Sequence, residues 1–477
     1  MKRALSLVSL MALTACAVGP NYRTPAPLPP AQTALREASG SAVLPAEALP
    51  EKWWRLFNDP RLDGLVEQAL AHNTDVRVAS SNLRRARALL SQARADRLPT
   101  GTASAQAVKQ RTAPVGAVPQ AFEGEFYRLG YDASYEIDLF GRVSRSIEAG
   151  NADAAAAQAG LDVARVSIAA ETARTYADVC GFGAQAAAAR ETVTLQSRTL
   201  DLTQRLLSGG GNTQRDVDQA ILLVEQARAQ LATAEAEQRA AVYALAVLTG
   251  QPPANADQSL FACTTLPTVA QSIPVGDGQT LLARRPDVRQ AERQLAADTA
   301  RIGVATAALY PSISLLGSAT SSAIRPGDLG TSRSFGFSVG PLISWNFPFL
   351  GAARARVREN RAIAEGSLAR FDQAVLTALQ ETEQALARLK GALDREAALT
   401  RGLAASNSAA SIAERRFAAG ADSFLQLLDA QRDRAATRAA LASAQSDRAS
   451  AQVALFKALG GGWEGAPEPV RLAEPTQ

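Results

Sequence analysis

The chain of 477 residues contains one histidine, His72, three cysteines and two methionines, and aromatic residues make up only 5% of it. With one histidine and scattered cysteines there is no cluster of the spacing that holds a metal ion, and imidazole acid/base chemistry would rest on a single side chain. So few bulky residues cannot fill several compact cores of the usual kind. No apolar run in the mature chain reaches the roughly 20 residues that a membrane-spanning helix needs. Neither sign of charge prevails: 50 basic residues stand against 46 acidic ones, a formal charge of +4. The two are interleaved rather than run together, so the basic pI does not point to nucleic acid. No nucleophile, general base and orienting group converge, and an enzyme is not expected. What abounds is alanine, about a fifth of the residues, a composition that suits long helices packed closely together.

The first residues read as a secretory leader. Lys2 and Arg3 form a positive start, Ala4 to Ala12 a short apolar stretch, and Leu13-Thr14-Ala15-Cys16 a small-residue approach to cleavage. Residues 1–15 are therefore expected to be removed. The tetrapeptide resembles a lipobox, which implies N-acyl and diacylglycerol lipid on Cys16 as the new first residue, and no other cofactor. An ordinary secretory leader followed by a chance cysteine is the alternative. Position 17 is Ala; an Asp there would favour inner-membrane retention, so its absence leans towards the outer membrane. Removing Lys2 and Arg3 leaves 48 basic residues against 46 acidic ones, or +2. Cys180 and Cys263 remain in a compartment that permits disulfides. One is read within a helix and the other in a Pro-bordered connector, and nothing in the sequence decides whether they pair.

A long repeat governs the organisation. Asp75-Val76-Arg77 matches Asp287-Val288-Arg289, and Leu98-Pro99 matches Tyr310-Pro311, at an offset of 212. Glu171-Thr172 matches Glu381-Thr382, Gly210 matches Gly420, Ala220 matches Ala430, and the Gly250 region matches the Gly460 region, at 210. The spacing predicts a leader (1–15), a Pro-rich N-terminal segment (16–60), a first repeat (61–250), a connector (251–280), a second repeat (281–460) and a C-terminal tail (461–477). Each repeat reads helix, strand, strand, long helix, turn, helix. In the first, a helix over 62–98 ends at Pro99, strands follow at 100–108 and 126–137, and helices at 142–208 and 213–249. In the second, a helix precedes strands at 311–321 and 335–346 and helices at 352–418 and 423–459.

Tyr127, Leu129, Tyr131 and Tyr135 alternate with polar residues, as do Phe335, Phe337, Val339, Ile343 and Trp345. Strands of this length with one apolar, aromatic-rich face carry the transmembrane β-barrel pattern; a soluble pair of hairpins on a half-buried sheet is the alternative. Four strands cannot close, and open edges are not tolerated in hydrocarbon. If these strands enter a membrane, several chains must share one barrel. The two long helices lack proline and would each run roughly 100 Å, and two of the shorter ones end to end match that length. Gly209-Gly210-Gly211 and Gly420 mark the turns between long and short helices. The glycine run follows a helix rather than a strand, so it is not a phosphate loop. Trp53-Trp54 is expected to pack rather than bind a ligand, Arg284-Arg285 to bracket a helix start, and His72 to lie on the surface.

The sequence resembles an outer membrane factor of the TolC/OprM type, in the lipoprotein (NodT-type) branch of tripartite RND-type efflux systems. The resemblance is carried by the lipobox, by Trp53-Trp54-Arg55-Leu56-Phe57-Asn58-Asp59-Pro60, by Leu281 to Arg289 with Ala291-Glu292, by Leu425 to Arg432, and by Lys457 to Trp463. It covers the mature chain. Gly276-Asp277-Gly278 departs from it, since the family usually has a Leu-Pro pair before the Arg-Arg-Pro run. The resemblance implies an all-α-dominated fold with a transmembrane β-barrel segment: a homotrimer with a 12-stranded β-barrel and a 12-helix coiled-coil tunnel. It further implies a passive efflux duct for small molecules, met at its helix-tip turns (Gly209, Gly210, Gly211, Gly420) by a periplasmic adaptor and driven by an inner-membrane RND-type pump. By motif, Leu425, Asp429 and Arg432 would form the periplasmic gate; their i, i+4, i+7 spacing puts them on one helix face. The same architecture admits a duct for type I protein secretion, and a lipid-anchored periplasmic coiled-coil scaffold without a pore is a third reading.

Overall fold

The structure is a computed structural model that describes residues 17–25, 35–38, 43–44, 49–112, 122–269, 272–276 and 278–469. The leader, Cys16 and much of the Pro-rich segment lie outside the described residues. The principal elements, in chain order, are α1 (Pro60–His72), α2 (Thr74–Ala95), β1 (Thr100–Thr112), β2 (Phe122–Ile137), α3 (Arg142–Ser208), α4 (Gln214–Leu248), α5 (Gly278–Arg284), α6 (Pro286–Ala307), β3 (Ser312–Ala323), β4 (Phe335–Ser344), α7 (Gly351–Ala418) and α8 (Phe424–Ala458). Two compact units result. One comprises residues 1–26, 82–157 and 290–371, the other residues 27–81, 158–289 and 372–477. The units do not follow the repeats, because each takes its residues from both.

Two regions of the first repeat differ most from the sequence expectation. The helix expected over 62–98 is broken at Asn73. Its backbone N–H donates to Ala69 O and closes α1, while its Oδ1 accepts from the N–H groups of Asp75 and Val76 and opens α2. Its Nδ2 donates to Leu248 O, at the end of α4. Asparagine is a strong N-cap, so one side chain suffices to end one helix and start another without proline. In the second repeat Arg285 stands at the matching place before Pro286, and its Nη1 donates to Ala458 O, at the end of α8 (2.8 Å). The second difference is in the strands of the first repeat. They reach Thr112 and Phe122, because thirteen pairs from Thr100↔Ser134 to Thr112↔Phe122 form an unbroken antiparallel ladder.

In the first unit the sheet order is β1-β2-β3-β4, antiparallel throughout. The register decides what neither strand pattern decides alone. Tyr131 pairs with Ala319 and Ala319 with Phe337, while Leu129 pairs with Ser321 and Ser321 with Phe335. Directly opposed residues share a face, so the apolar rows of β2 and β4 lie on the same side of the sheet. The outer edges of β1 and β4 have no partner strand among the described residues.

The second unit holds the main core. Trp53 and Trp54 are fully buried; Trp53 stacks on Phe456 at 4.7 Å and meets Trp54 and Phe57 edge-on. Asp59 caps α1 by accepting from Arg61 and Leu62 N–H, and its other oxygen accepts from the Tyr176 hydroxyl (2.7 Å). Burial, followed by that carboxylate, pushes the Tyr176 phenol far above its ordinary range. His72 is exposed.

Cys180 and Cys263, left undecided by the sequence, form a disulfide with Cα atoms 4.7 Å apart. The turn Gln258–Ala262 carries Cys263 onto α3, and Gln238 Nε2 donates to the carbonyls of Phe261 and Cys263. Gly183 makes the approach possible, since a Cβ there would collide with the Cys263 carbonyl oxygen. The bond closes a separation of 83 residues, for which chain entropy predicts roughly 2–5 kcal/mol of stabilisation. The Cys180→Ser/Cys263→Ser variant should therefore unfold at clearly lower denaturant than the native protein. Identical midpoints, or free thiols at both positions in unreduced protein, would contradict the bond.

Candidate functional site

The turn joining α3 to α4 and the turn joining α7 to α8 are built alike. Gly210 and Gly420 take φ of +78° and +70°, a left-handed conformation that only glycine adopts without cost. At the first turn Gly210 N–H donates to Leu207 O and Gly211 N–H to Leu206 O. At the second, Gly420 N–H donates to Phe417 O and Ala421 N–H to Arg416 O. These are Schellman bonds, and they satisfy carbonyls that the helix ends leave orphaned. Both following helices open with capping boxes, Thr213 with Asp216 and Ser423 with Gln426. The Thr213 backbone N–H and hydroxyl, both donating to Asp216, hold that carboxyl below the ordinary carboxylate range.

Beneath the turns lies a small core of Ala220, Leu223, Ala413, Phe417, Phe424, Leu427 and Leu428. It lays bare the other side of α8. Leu425 is 59% exposed, Asp429 and Arg432 are exposed, and the intervening Leu427, Leu428 and Gln431 are buried. The three gate candidates thus share one outward face. Gln431 anchors the opposite face by donating to Thr199 Oγ1 of α3 (2.7 Å). Two ion pairs brace the turn: Arg416 with Asp422 at 2.8 Å, and Arg434 with Glu414 at 2.9 Å. Asp429 and Arg432 make no ion pair among the described residues, so the intrahelical pair that their spacing allows is not formed. At the matching positions of α4, 210 residues earlier, stand Arg215, Gln219 and Leu222. The carboxylate therefore belongs to one repeat only.

The four tip glycines occupy the turns just described. On the sheet, Leu129, Tyr131, Tyr135, Phe335, Phe337, Val339 and Ile343 are exposed on the apolar face, and Tyr127 is half-buried. Trp345 lies one residue beyond β4 rather than within it, its ring exposed and its indole N–H donating to Leu309 O (3.2 Å). Sequence reasoning missed the role of residues 17–25. Val18 N–H donates to Phe140 O (3.2 Å), Ala17 packs on Gly141, and Arg145 donates to Val18 O, Gly19 O and Asn21 Oδ1. The Tyr22 hydroxyl donates to Glu292 (2.9 Å), and burial, then that carboxylate, pushes its pKa up to about 12. The residue after Cys16 is thereby held where β2 gives way to α3.

Among the described residues no group of three or more His, Cys, Asp and Glu side chains could hold a metal ion, and no helix is long and apolar enough to cross a membrane. An open groove of about 420 Å³ between α3, α4 and α8 is lined by six alanines, including Ala188, Ala229 and Ala435, and by scattered polar residues that do not converge as a catalytic group.

Comparison with known proteins agrees with this architecture. The family model described as outer membrane efflux protein matches residues 65–251 and 278–461. The chain is 33% identical over 467 residues to outer membrane protein OprJ of Pseudomonas aeruginosa, covering 96% of this chain and 95% of OprJ. It is 32% identical to the toluene efflux pump outer membrane protein TtgI of Pseudomonas putida, covering 97% and 98%. The solved structure of the outer-membrane channel OprN superposes with a TM-score of 0.89 at 37% identity, covering 94% of this chain and all of that one.

The two leucines at the tip separate packing from surface. Leu427→Ala should destabilise by about 2–5 kcal/mol, as a buried leucine does, whereas Leu425→Ala should stay within roughly 0.5 kcal/mol. Thermal unfolding of the two variants side by side measures this, and equal losses would refute the assigned faces.

Proposed function

The chain belongs to the outer membrane efflux protein family, and from that premise we propose how its surfaces carry out efflux. It is the outer membrane channel of a tripartite efflux system, a passive conduit whose energy comes from elsewhere. The observation that carries this reading is the sheet: four antiparallel strands with one apolar, aromatic-rich face and two unpaired edges.

Backbone donors and acceptors left open in hydrocarbon cost several kcal/mol each, so only a closed barrel is tolerated there. Edge pairing of β4 with β1 of the next copy closes the sheet, and three copies of four strands give a 12-stranded barrel, a size within the known range. Tyr127, Leu129, Tyr131, Tyr135, Phe335, Phe337, Val339 and Ile343 then face lipid, with Trp345 at the boundary. The polar row, including Arg128, Asp132 and Ser318, lines the lumen. In the same trimer the helices of both repeats form a 12-helix tunnel. Cys16 carries the lipid anchor, and the strap of residues 17–25 that follows it is tied to the start of α3.

Threefold symmetry brings three copies of Leu425, Asp429 and Arg432 around the tunnel axis. That Asp429 and Arg432 make no ion pair among the described residues supports pairing between copies, which closes the periplasmic end. The turns at Gly209 to Gly211 and at Gly420 are where a periplasmic adaptor docks, linking the channel to an inner-membrane RND-type pump. The pump selects the substrate; the likeness to TtgI, a toluene efflux pump outer membrane protein, agrees with small-molecule cargo.

The test is conductance in planar bilayers. Purified wild-type protein should conduct poorly at rest, and Asp429→Ala should raise single-channel conductance severalfold and admit antibiotics into cells expressing it. Equal conductance of the two proteins would remove Asp429 from the gate, and the absence of any conductance would remove the pore.

A further inference from the structure

The two strand-to-helix junctions of the first unit occupy equivalent places in the repeats but differ in how their side chains are satisfied. Where β2 passes into α3, Phe140 stacks on Tyr310 at 4.7 Å. The arginines there are consumed internally: Arg142 makes a two-point ion pair with Glu136, and Arg145 is buried against Glu148 and Asn21. Where β4 passes into α7, the aromatics are left open and the arginines are not consumed in this way among the described residues. Phe347 is 64% exposed and Phe349 87% exposed. Trp345, its indole N–H already bonded to Leu309 O, offers a ring stacked on Phe347 at 4.7 Å. A few residues on, Arg354, Arg356 and Arg358 are exposed and make no ion pair among the described residues.

Exposed aromatic rings directly followed by unpaired guanidinium groups match the layered chemistry of a bilayer surface, where rings sit at headgroup level and basic side chains meet anionic lipid. The depth fits as well. Arg354 to Arg358 lie about 5–11 Å along α7 from Gly351 at ~1.5 Å per residue, and the interfacial layer of a bilayer is roughly 5–8 Å thick on each side. We propose that the β4–α7 junction is a binding site for anionic phospholipid headgroups of the periplasmic leaflet, with Phe347 and Phe349 seated at the acyl boundary and Arg354 and Arg358, one turn apart on the same helix face, holding the phosphate. The site rests on the reading of the sheet as membrane-embedded. Arginine is suited to the task, since its planar fork bonds phosphate oxygens in pairs. The phenylalanines commit the site to a lipid rather than free phosphate, because an inorganic ion would leave them in water. The first junction, its charges already neutralised, serves instead to hold the N-terminal strap, so the repeats divide covalent and non-covalent membrane attachment between them.

Trp345 reports on the site directly. The full-length protein is reconstituted in phosphatidylcholine vesicles containing phosphatidylglycerol, with one or the other lipid dibrominated near the headgroup end of its chains, and Trp345→Phe supplies the background from the other tryptophans. At equal mole fraction, brominated phosphatidylglycerol should quench Trp345 about fivefold more effectively than brominated phosphatidylcholine, the enrichment that one basic side chain near a charged surface supplies. The Arg354→Gln/Arg358→Gln variant should abolish the preference while retaining quenching by both lipids. Equal quenching by the two lipids in the wild-type protein overturns the headgroup site and leaves the channel intact. Quenching by neither lipid places the junction outside the bilayer and overturns the channel reading with it.

Discussion

Unpaired backbone hydrogen-bonding groups are the constraint on which both units depend. A residue buried away from water must place its N–H and its C=O. In a long helix every interior residue does so locally, so Arg142–Ser208 and Gly351–Ala418 need no outside partner except at their ends. In a four-stranded sheet the two outer edges remain open whatever the side chains do. The helices can therefore be completed by one chain, while a sheet placed in hydrocarbon calls for neighbouring copies.

The helix ends show how closely the chain accounts for these groups. Two Schellman turns and two capping boxes, each pair 210 residues apart, satisfy both tips with interchangeable residues. The breaks after α1 and before α6 do the same with unlike residues: Asn73 and Arg285 both reach the last carbonyls of the returning helix, one through an amide and one through a guanidinium. Arg285 also pairs with Asp287 and Glu381, which joins α6 to α7 where Asn73 has no equivalent reach. Backbone equivalence between the repeats thus coexists with side-chain divergence. The divergence falls at particular places: only α8 has a carboxylate at the position of Asp429, only the first junction binds residues 17–25, and among the described residues only the second leaves Arg354 and Arg358 without an ion pair.

How much of this was legible depended on range. The ends of the long helices could be read to within a residue, because proline is absent from them and glycine follows them, both local signals. The break at Asn73 was signalled only by the capping preference of one asparagine inside an otherwise continuous apolar period. The extension of β1 to Thr112 was hidden because its outer residues, Lys109, Gln110 and Arg111, carry no apolar alternation. They are strand because Glu125, Gly124 and Glu123 pair with them. Spacing placed Leu425, Asp429 and Arg432 on one face of α8, and all three are exposed, but whether Asp429 and Arg432 would pair with each other was beyond it.

The sequence by itself determined the type and order of the principal elements, the alternation along β2 and β4 and the family, because each is encoded in residue order over a few turns or in a run of matching motifs. Tertiary structure alone decided which faces came together. The register that joins the apolar rows of β2 and β4 depends on hydrogen bonds between segments nearly 200 residues apart. The Cys180–Cys263 bond depends on Gly183 giving way to a connector 80 residues on. Which arginines stay free at the strand-to-helix junctions depends on what the fold packs beside them, Glu136 and the N-terminal strap at one and open surface at the other. Pairing across such separations is a matter of geometry and competing partners, and periodicity along the chain carries no record of it.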